Sequence, residues 1–199
     1  FDVVRAQAFE AQQVLEDAIA SEWEVDPQLS FLRHPKPGTE RYPWVEYADS
    51  PGVKGEARSR EKMKNDYGGH ANQLKDLARL TLRFSAPGKL ADALDSFPGL
   101  GFDVVVVKNK YKFPTPMGYS DFNLVVAVPL ADGTKYLCEM QLNLVAMLDA
   151  KHEAHAHYEV IRKRLPELCK GTPVKADELE SFISGRLNNS ALDLSLIHI

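Results

Sequence analysis

The feature of this sequence that most constrains its fold is a pair of strand patterns joined by Asp132-Gly133. The residues 124–128 are all apolar, and the residues 138–143 alternate between apolar and polar side chains. Asp-Gly between two such segments is a strong hairpin signal, because both residues tolerate the positive φ of a tight turn. We therefore predict an antiparallel pair of strands here.

The second strand of this hairpin has one apolar and one polar face. Residues two apart along a strand point to the same side of the sheet. The polar side carries Glu139, Gln141 and Asn143, and the alternate residues from Tyr136 to Leu142 form the apolar side. An acid therefore faces outward in the middle of the sheet.

The rest of the chain predicts a mixed sheet covered by helices, which is the α/β (α+β) class. Alternation over 78–84 predicts a strand that begins just after Asp76, and the β-branched run 102–107 is typical of a central strand. Four prolines in 29–53 predict an irregular connection. Helical spacing predicts helices over 4–23, 56–67, 87–97 and 145–163, with a short helical piece at 72–75.

The last predicted helix carries a stripe of four side chains on one face. Met147, Lys151, His155 and Tyr158 follow one another at spacings of four, four and three residues. Residues at these spacings are neighbours on a helix surface. His152 and His155 do not form a zinc-protease motif, which needs two histidines four residues apart.

Composition limits the class of protein. The chain has 199 residues, 44% of them hydrophobic, and two cysteines, Cys138 and Cys169. It is long enough for one domain with a core of its own, and two cysteines cannot form a disulfide framework. No apolar run approaches the roughly 20 residues that cross a bilayer. We expect a soluble protein of an intracellular, reducing compartment with no membrane partner, although the termini show no readable targeting signal.

Positive charge is concentrated in two segments although the net charge is -4. Five basic residues occupy 54–64, and Lys108, Lys110 and Lys112 occupy the connection between two predicted strands. Such segments are often only solvated faces, but together with the carboxylates of Asp76 and Glu139 they suit phosphate transfer. Mg²⁺ uses one or two carboxylates plus substrate phosphates, and a positioned carboxylate can act as a base. From spacing alone, the favoured interpretation is that both acids are ordinary surface residues.

Five segments, taken in order, resemble the synthetase domain of the RelA/SpoT family. These are Val53-Lys-Gly with Lys62-Met, Asp76-Leu-Ala, Pro116-Met-Gly-Tyr119, Glu139-Met-Gln141-Leu, and Met147 followed by His155. Members of the family move a pyrophosphate from ATP to the 3′ hydroxyl of GDP or GTP. The resemblance implies a nucleotidyltransferase-like fold, and ATP and a guanine nucleotide as partners.

The resemblance also implies roles for individual residues. Asp76 and Glu139 would be the catalytic and metal-binding acids, with Asp76 holding Mg²⁺ and Glu139 activating the acceptor hydroxyl. Tyr119 would stack on the guanine base. The other implied nucleotide-binding residues are Lys54, Arg58, Lys62, Lys108, Lys110, Lys112, Gln141 and His155.

The sequence departs from the family pattern at several polar positions. Gly52 and Gly55 replace an Arg and a Ser, Arg79 and Thr81 alter the Asp strand, and Asn143 replaces an Arg. These changes leave two alternatives open: a catalytically silent guanine-nucleotide-sensing module of a larger protein, and a toxin-like relative that pyrophosphorylates tRNA. A structural interaction domain without nucleotide is a third possibility.

We expect three regions along the chain. Residues 1–51 would form an N-terminal helix and a proline-rich connection, 52–169 the synthetase-like domain, and 170–199 a C-terminal extension. The last six residues, 194–199, have a sequence typical of a translated sequencing adapter, so we expect them to be non-native. The family's companion hydrolase domain is not in this sequence, and further domains are expected in a full-length protein.

Overall fold

The computed structural model describes residues 1–28, 32–114 and 119–154 of the chain. The helices in this part are α1 (Asp2–Ile19), α2 (Glu56–Asp66), α3 (Pro87–Ser96) and α4 (145–154), with short 3-10 turns at Ala71–Gln73 and Phe97–Leu100. The strands are β1 (Trp23–Val25), β2 (Leu32–Pro35), β3 (Tyr47–Asp49), β4 (Arg79–Phe84), β5 (Asp103–Asn109), β6 (Phe122–Pro129) and β7 (Lys135–Leu144).

These seven strands form one sheet in the order β1-β2-β3-β4-β7-β6-β5. β4 and β7 are parallel, and every other neighbouring pair is antiparallel. The predicted α/β (α+β) class with a mixed sheet is therefore confirmed.

The predicted hairpin joins β6 to β7. Gly133 has a φ of 81°, in the left-handed region that glycine adopts without strain. Leu130 donates its backbone N–H to the carbonyl of Thr134 at 2.9 Å, which closes the turn. The two strands then pair from Pro129 opposite Lys135 to Phe122 opposite Leu142.

One face of the sheet is apolar and carries the core. Met140 in the middle of β7 lies between Leu80 of β4 and Leu124 of β6, and all three side chains are buried. α1 packs on this face through residues spaced three and four apart, Ala8, Ala11, Leu15 and Ile19, which are fully buried. α1 contacts β4, β6 and β7, and α3 contacts β4 and β7, so both helices pack against the central strands.

A buried glutamine of α1 fixes the start of β4. Gln12 donates from Nε2 to the carbonyl of Arg79 at 3.0 Å and accepts at Oε1 from the N–H of Arg79 at 2.8 Å. β3 ends at Asp49, shortly before Pro51, so Arg79 lies beyond the last pair of the β3–β4 ladder. The amide of Gln12 thus supplies the hydrogen bonds that a neighbouring strand would otherwise provide.

The proline-rich region 29–53 is not the irregular connection that the sequence predicts. β2 and β3 lie within it and extend the sheet, with β1 immediately before it. These strands have three or four residues each, too few to show a period of two, and Pro35 falls only at the end of β2. Their existence depends on pairing with β4, which is distant in sequence.

The predicted central position of the strand at 102–107 is also wrong. β5 lies at the edge of the sheet among the described strands, and Val104, Val105 and Val107 are exposed. A run of β-branched residues favours a strand but does not say how many neighbours that strand has. A register shift between Val104 and Val106 marks a bulge in this edge strand.

Within the described ranges, no helix combines the length and the apolar character that a membrane crossing requires.

Gln12→Ala is expected to lower the free energy of unfolding by about 1–3 kcal/mol, because the backbone N–H and C=O of Arg79 lose their partners. Urea denaturation of the two proteins measures this difference. Gln13→Ala is the matched control, since Gln13 is exposed on the same helix and bonds only Asp17 among the described residues. Equal losses of stability in the two variants would contradict the structural role of Gln12.

Candidate active site

The face of the sheet opposite the core is polar where β3, β4, β7 and β6 meet. One row across the strands consists of Asp49, Thr81, Gln141 and Asn123, each directly opposite the next. Directly opposite residues in a sheet point to the same face. A second row places Arg79 of β4 beside Glu139 of β7. The polar face that the alternation of β7 predicts therefore extends across β3, β4, β7 and β6.

A cleft of about 390 Å³ opens over this face. Its lining residues are Pro51, Arg79, Leu80, Thr81, Glu139, Gln141, Lys151 and His152. Two of them, Glu139 and Gln141, are residues that the sequence predicts for the site. Arg79, Lys151 and His152 were not among the predicted site residues. Arg79 and Lys151 give the cleft a cationic side next to the acid Glu139.

Glu139 is held in the cleft by two amides. Asn123 donates to Glu139 Oε1 at 2.5 Å and Gln141 donates to the same oxygen at 3.2 Å. The backbone N–H of Glu139 donates to the carbonyl of Ala78 at 3.0 Å, across the parallel pair. These bonds fix both the position and the orientation of the carboxylate.

Asp76 lies just before β4 and forms a partly buried cluster with two lysines. Lys54 donates to Asp76 Oδ2 at 2.7 Å and Lys62 of α2 donates to the same oxygen at 2.8 Å. Burial alone would raise the pKa of Asp76, but the hydrogen bonds and charges of the two lysines outweigh it and lower this pKa below its ordinary value. Asp76 is therefore a carboxylate at neutral pH.

Asp76 and Glu139 lie near each other although 63 residues separate them along the chain. Asp76 is two residues before Ala78, whose carbonyl accepts from Glu139 N–H. Burial lowers the pKa of Lys62, but its bond to Asp76 and the charge of Asp76, with a smaller contribution from Glu139, raise that pKa above its ordinary value. The ammonium of Lys62 therefore lies in the field of both acids.

The residues around Asp76 are compatible with a magnesium ion. Asp76 Oδ1 is buried and has no hydrogen-bond partner among the described residues. That part of the chain holds no group of three or more His, Cys, Asp or Glu side chains placed as metal ligands. Mg²⁺ does not need such a group, because it binds through one or two carboxylates and completes its shell with water and substrate phosphates. The role of Asp76 and Glu139 as metal ligands remains a prediction.

Tyr119 lies beside the cleft with its hydroxyl in a polar cluster. The hydroxyl lies 2.9 Å from Asp121 Oδ2, to which it donates, and 3.3 Å from Asn143 Oδ1. Lys110 and Lys151 lie 5.3 Å and 4.9 Å from the ring centroid. Burial, and then the charge of Asp121, raise the pKa of Tyr119, so the phenol keeps its proton. A stacked base would have to share the ring with these two cations.

The other predicted nucleotide-binding residues are not gathered at the cleft. Arg58 pairs with Glu61 on the exposed side of α2. Lys108 and Lys112 are exposed, on β5 and shortly after it. His155 and the segment 115–118 of the predicted guanine loop lie outside the described residues.

Several residues of this site were missed at the sequence level. Asp121 and Asn123 have the alternate spacing that also revealed Glu139, but Asp121 lies before the apolar run of β6. Lys151 had a signal, since its helical spacing places it on the same face as Met147 and His155. Only the packing of α4 over β7 shows that its ammonium reaches Gln141 Oε1, at 3.4 Å.

Several buried polar atoms on this face have no hydrogen bond within the described residues. Asp49 Oδ1 and Arg83 Nε lie 3.7 Å apart as an ion pair, whereas Arg79 Nε and Asn143 Nδ2 have no such partner there. A buried polar atom without a hydrogen bond costs free energy, and such atoms are retained chiefly where water or a ligand satisfies them. The face is therefore suited to a polar ligand.

Lys62→Met is expected to raise the pKa of Asp76, because it removes one hydrogen bond and one positive charge from the carboxylate. An NMR titration of the Asp76 carboxyl carbon measures this pKa. Since the pKa of Asp76 is lowered by folding, its ionised form stabilises the protein above the ordinary pKa and this contribution disappears as the pH falls through the lowered value. Lys62→Met should therefore lower stability at pH 7 more than at pH 3.

The control for this change is Lys64→Met, which removes a charge from an exposed position on the same helix. It should leave the titration of Asp76 where it is. If the Asp76 titration curves of wild type and Lys62→Met coincide, the lysines do not set the charge state of this carboxyl.

Comparisons with known proteins place this arrangement in a known fold. No protein-family model matches the chain, and no curated protein is significantly similar to it in sequence. Among solved structures, it is similar to the small alarmone synthetase 1 of Bacillus subtilis bound to its product pppGpp, with 21% identity, a TM-score of 0.54, and coverage of 74% of this chain and 78% of that one.

Two further structures support the same assignment of the fold. Another structure of the Bacillus subtilis enzyme has 20% identity, a TM-score of 0.52, and coverage of 94% of this chain and 89% of that one. A GTP pyrophosphokinase family protein from Streptococcus pneumoniae has 18% identity, a TM-score of 0.51, and coverage of 72% and 70%. At these identities the similarity shows the fold: this chain has the nucleotidyltransferase-like fold of the small alarmone synthetases.

Proposed function

We propose that the protein is a RelA/SpoT-like pyrophosphotransferase, which moves pyrophosphate from ATP to the 3′ hydroxyl of GDP or GTP. The observation that carries this proposal is the position of Glu139, held by two amides in an open polar cleft of a sheet with the small alarmone synthetase fold. The similar Bacillus subtilis synthetase was solved with pppGpp bound, a product of the proposed type.

Glu139 would act as the general base. Its Oε1 is already occupied by Asn123 and Gln141, so these amides keep the carboxylate oriented while it accepts the proton of the acceptor hydroxyl. The acceptor oxygen then forms a bond to the β-phosphorus of ATP. The bond from that phosphorus to the oxygen bridging to the α-phosphate breaks, and AMP leaves with the electron pair.

Asp76 would hold Mg²⁺ through its carboxylate, and a bound Mg²⁺ would neutralise charge on the ATP phosphates. Lys54 and Lys62 stand next to this carboxylate, where a triphosphate could also contact them. The phosphates would compete with Asp76 for the two ammonium groups. When the phosphates bind Lys54 and Lys62 in place of Asp76, the Asp76 carboxylate would be released from the two lysines. Nucleotide binding would then be coupled to the release of this carboxylate.

Glu139→Gln is expected to lower the rate of pyrophosphate transfer by about 10²- to 10⁴-fold, because the amide cannot accept the proton. Purified protein would be incubated with Mg²⁺, labelled ATP and either GDP or GTP, and the labelled product quantified. Glu24→Gln is the matched control, since Glu24 is exposed on β1, which three strands separate from β7. Asp76→Ala should also abolish transfer.

Three outcomes would overturn the proposal. These are absence of transfer in the wild type, transfer that survives both Glu139→Gln and Asp76→Ala, and transfer to tRNA but to neither guanine nucleotide. Guanine-nucleotide binding without any turnover, measured by calorimetry, would assign the protein to the silent sensing modules instead.

A further inference from the structure

Two cations in the cleft have no acidic partner among the described residues. Arg79 and Lys151 both line the cleft that contains Glu139. Arg79 comes from β4, directly opposite Glu139, and Lys151 comes from α4. The two side chains therefore approach the same space from the sheet and from the helix above it.

The guanidinium of Arg79 has no ion pair or hydrogen bond with the described part of the chain. Its Nε is buried without a partner. Its backbone is fixed on both sides, by Gln12 and by the β4–β7 ladder. A buried donor on a fixed backbone is preorganised for an acceptor that the protein does not supply.

Within the described residues, the contacts of the Lys151 ammonium are with neutral groups. The ammonium lies 3.3 Å from the hydroxyl of Tyr119 and 3.4 Å from Gln141 Oε1, with the Tyr119 ring beside it. Although Lys151 is exposed, neighbouring protein atoms partly desolvate its ammonium, which lowers the pKa of Lys151 below its ordinary value. The charge of Lys110 lowers this pKa further, while Asp121 and Glu139 partly offset the decrease. An anion in the cleft would stabilise the charged form.

The predicted phosphate-binding cations differ from this pair, because most of them are already neutralised. Lys54 and Lys62 pair with Asp76, Arg58 pairs with Glu61, and Lys110 pairs with Asp121. An anion that binds any of these four side chains competes with an acidic partner within the chain. Arg79 and Lys151 have no such acidic partner among the described residues.

The negative charge of Glu139 by itself would repel a phosphate. The two positive charges of Arg79 and Lys151 exceed this single negative charge, so the three groups together favour an anion beside Glu139. Guanidinium groups and ammonium groups both bind phosphate oxygens through charge-assisted hydrogen bonds.

We propose that Arg79 and Lys151 form an anion-binding pair that holds the pyrophosphoryl group next to Glu139. The proposal that the bound group is the pyrophosphoryl group being transferred rests on the proposed function. The proposal that a pyrophosphate site lies between β4 and α4 is independent of that function. The pair would hold the phosphate oxygens where the acceptor hydroxyl, deprotonated by Glu139, can reach the phosphorus.

The test is binding of inorganic pyrophosphate to the full chain, measured by isothermal titration calorimetry at fixed ionic strength. Arg79→Met and Lys151→Met should each weaken binding about tenfold or more, since each removes a charge-assisted hydrogen bond. Lys36→Met is the control with the same loss of charge, at an exposed position paired with Glu22. It should bind pyrophosphate as the wild type does.

Arg79→Lys and Lys151→Arg keep the charge and should retain most of the affinity, which guards against a variant that merely fails to fold. The inference is overturned if the wild type does not bind pyrophosphate, or if Lys36→Met weakens binding as much as Lys151→Met. It is equally overturned if only Lys54→Met and Lys62→Met weaken binding. The binding measurement needs no turnover. A wild type that binds pyrophosphate but does not transfer it would therefore refute the proposed function and leave the inferred binding site standing.

Discussion

The parallel pairing of β4 with β7 is the interaction on which the site depends. It places Arg79 beside Glu139, Thr81 beside Gln141 and Arg83 beside Asn143. On the other face the same register places Leu80 beside Met140 and Leu82 beside Leu142 in the core. Because the side chains of a strand alternate between faces, a shift of one residue would send the polar set into the core. The burial of leucines thus fixes the register that assembles the cleft.

Electrostatic balance divides the cations around the site into two kinds. Lys54 and Lys62 neutralise Asp76, and Lys110 neutralises the fully buried Asp121, so these lysines stabilise the folded chain without a ligand. Arg79 and Lys151 face an open cleft without a described acidic partner. The buried Nε of Arg79 has no hydrogen-bond partner among the described residues, and such a donor costs free energy unless water or a ligand satisfies it. Lys54, Lys62 and Lys110 therefore stabilise the site, whereas Arg79 and Lys151 are suited to binding a ligand.

Much of this site could be predicted from local patterns. The predictions that failed have a common cause, because a local pattern does not show which distant segments pair with each other. The alternation of β7 revealed Glu139 and Gln141 because strand periodicity is local, and Asp132-Gly133 gave the hairpin for the same reason. The strands β1 to β3 were missed because pieces of three or four residues have no measurable period and form through a partner distant in sequence. The edge position of β5 was missed because valine-rich runs occur in central and edge strands alike.

The sequence by itself determined the antiparallel hairpin, the polar face of β7, the main helices and the presence of acids and basic segments suited to phosphate chemistry. These follow from turn chemistry and from periods that a single segment contains. Only the tertiary structure decided that β4 lies parallel to β7, that Lys54 and Lys62 neutralise Asp76, and that Arg79 and Lys151 meet at Glu139. Those facts depend on which distant segments pack together, and packing is governed by the burial of the whole apolar face rather than by any one stretch of the chain.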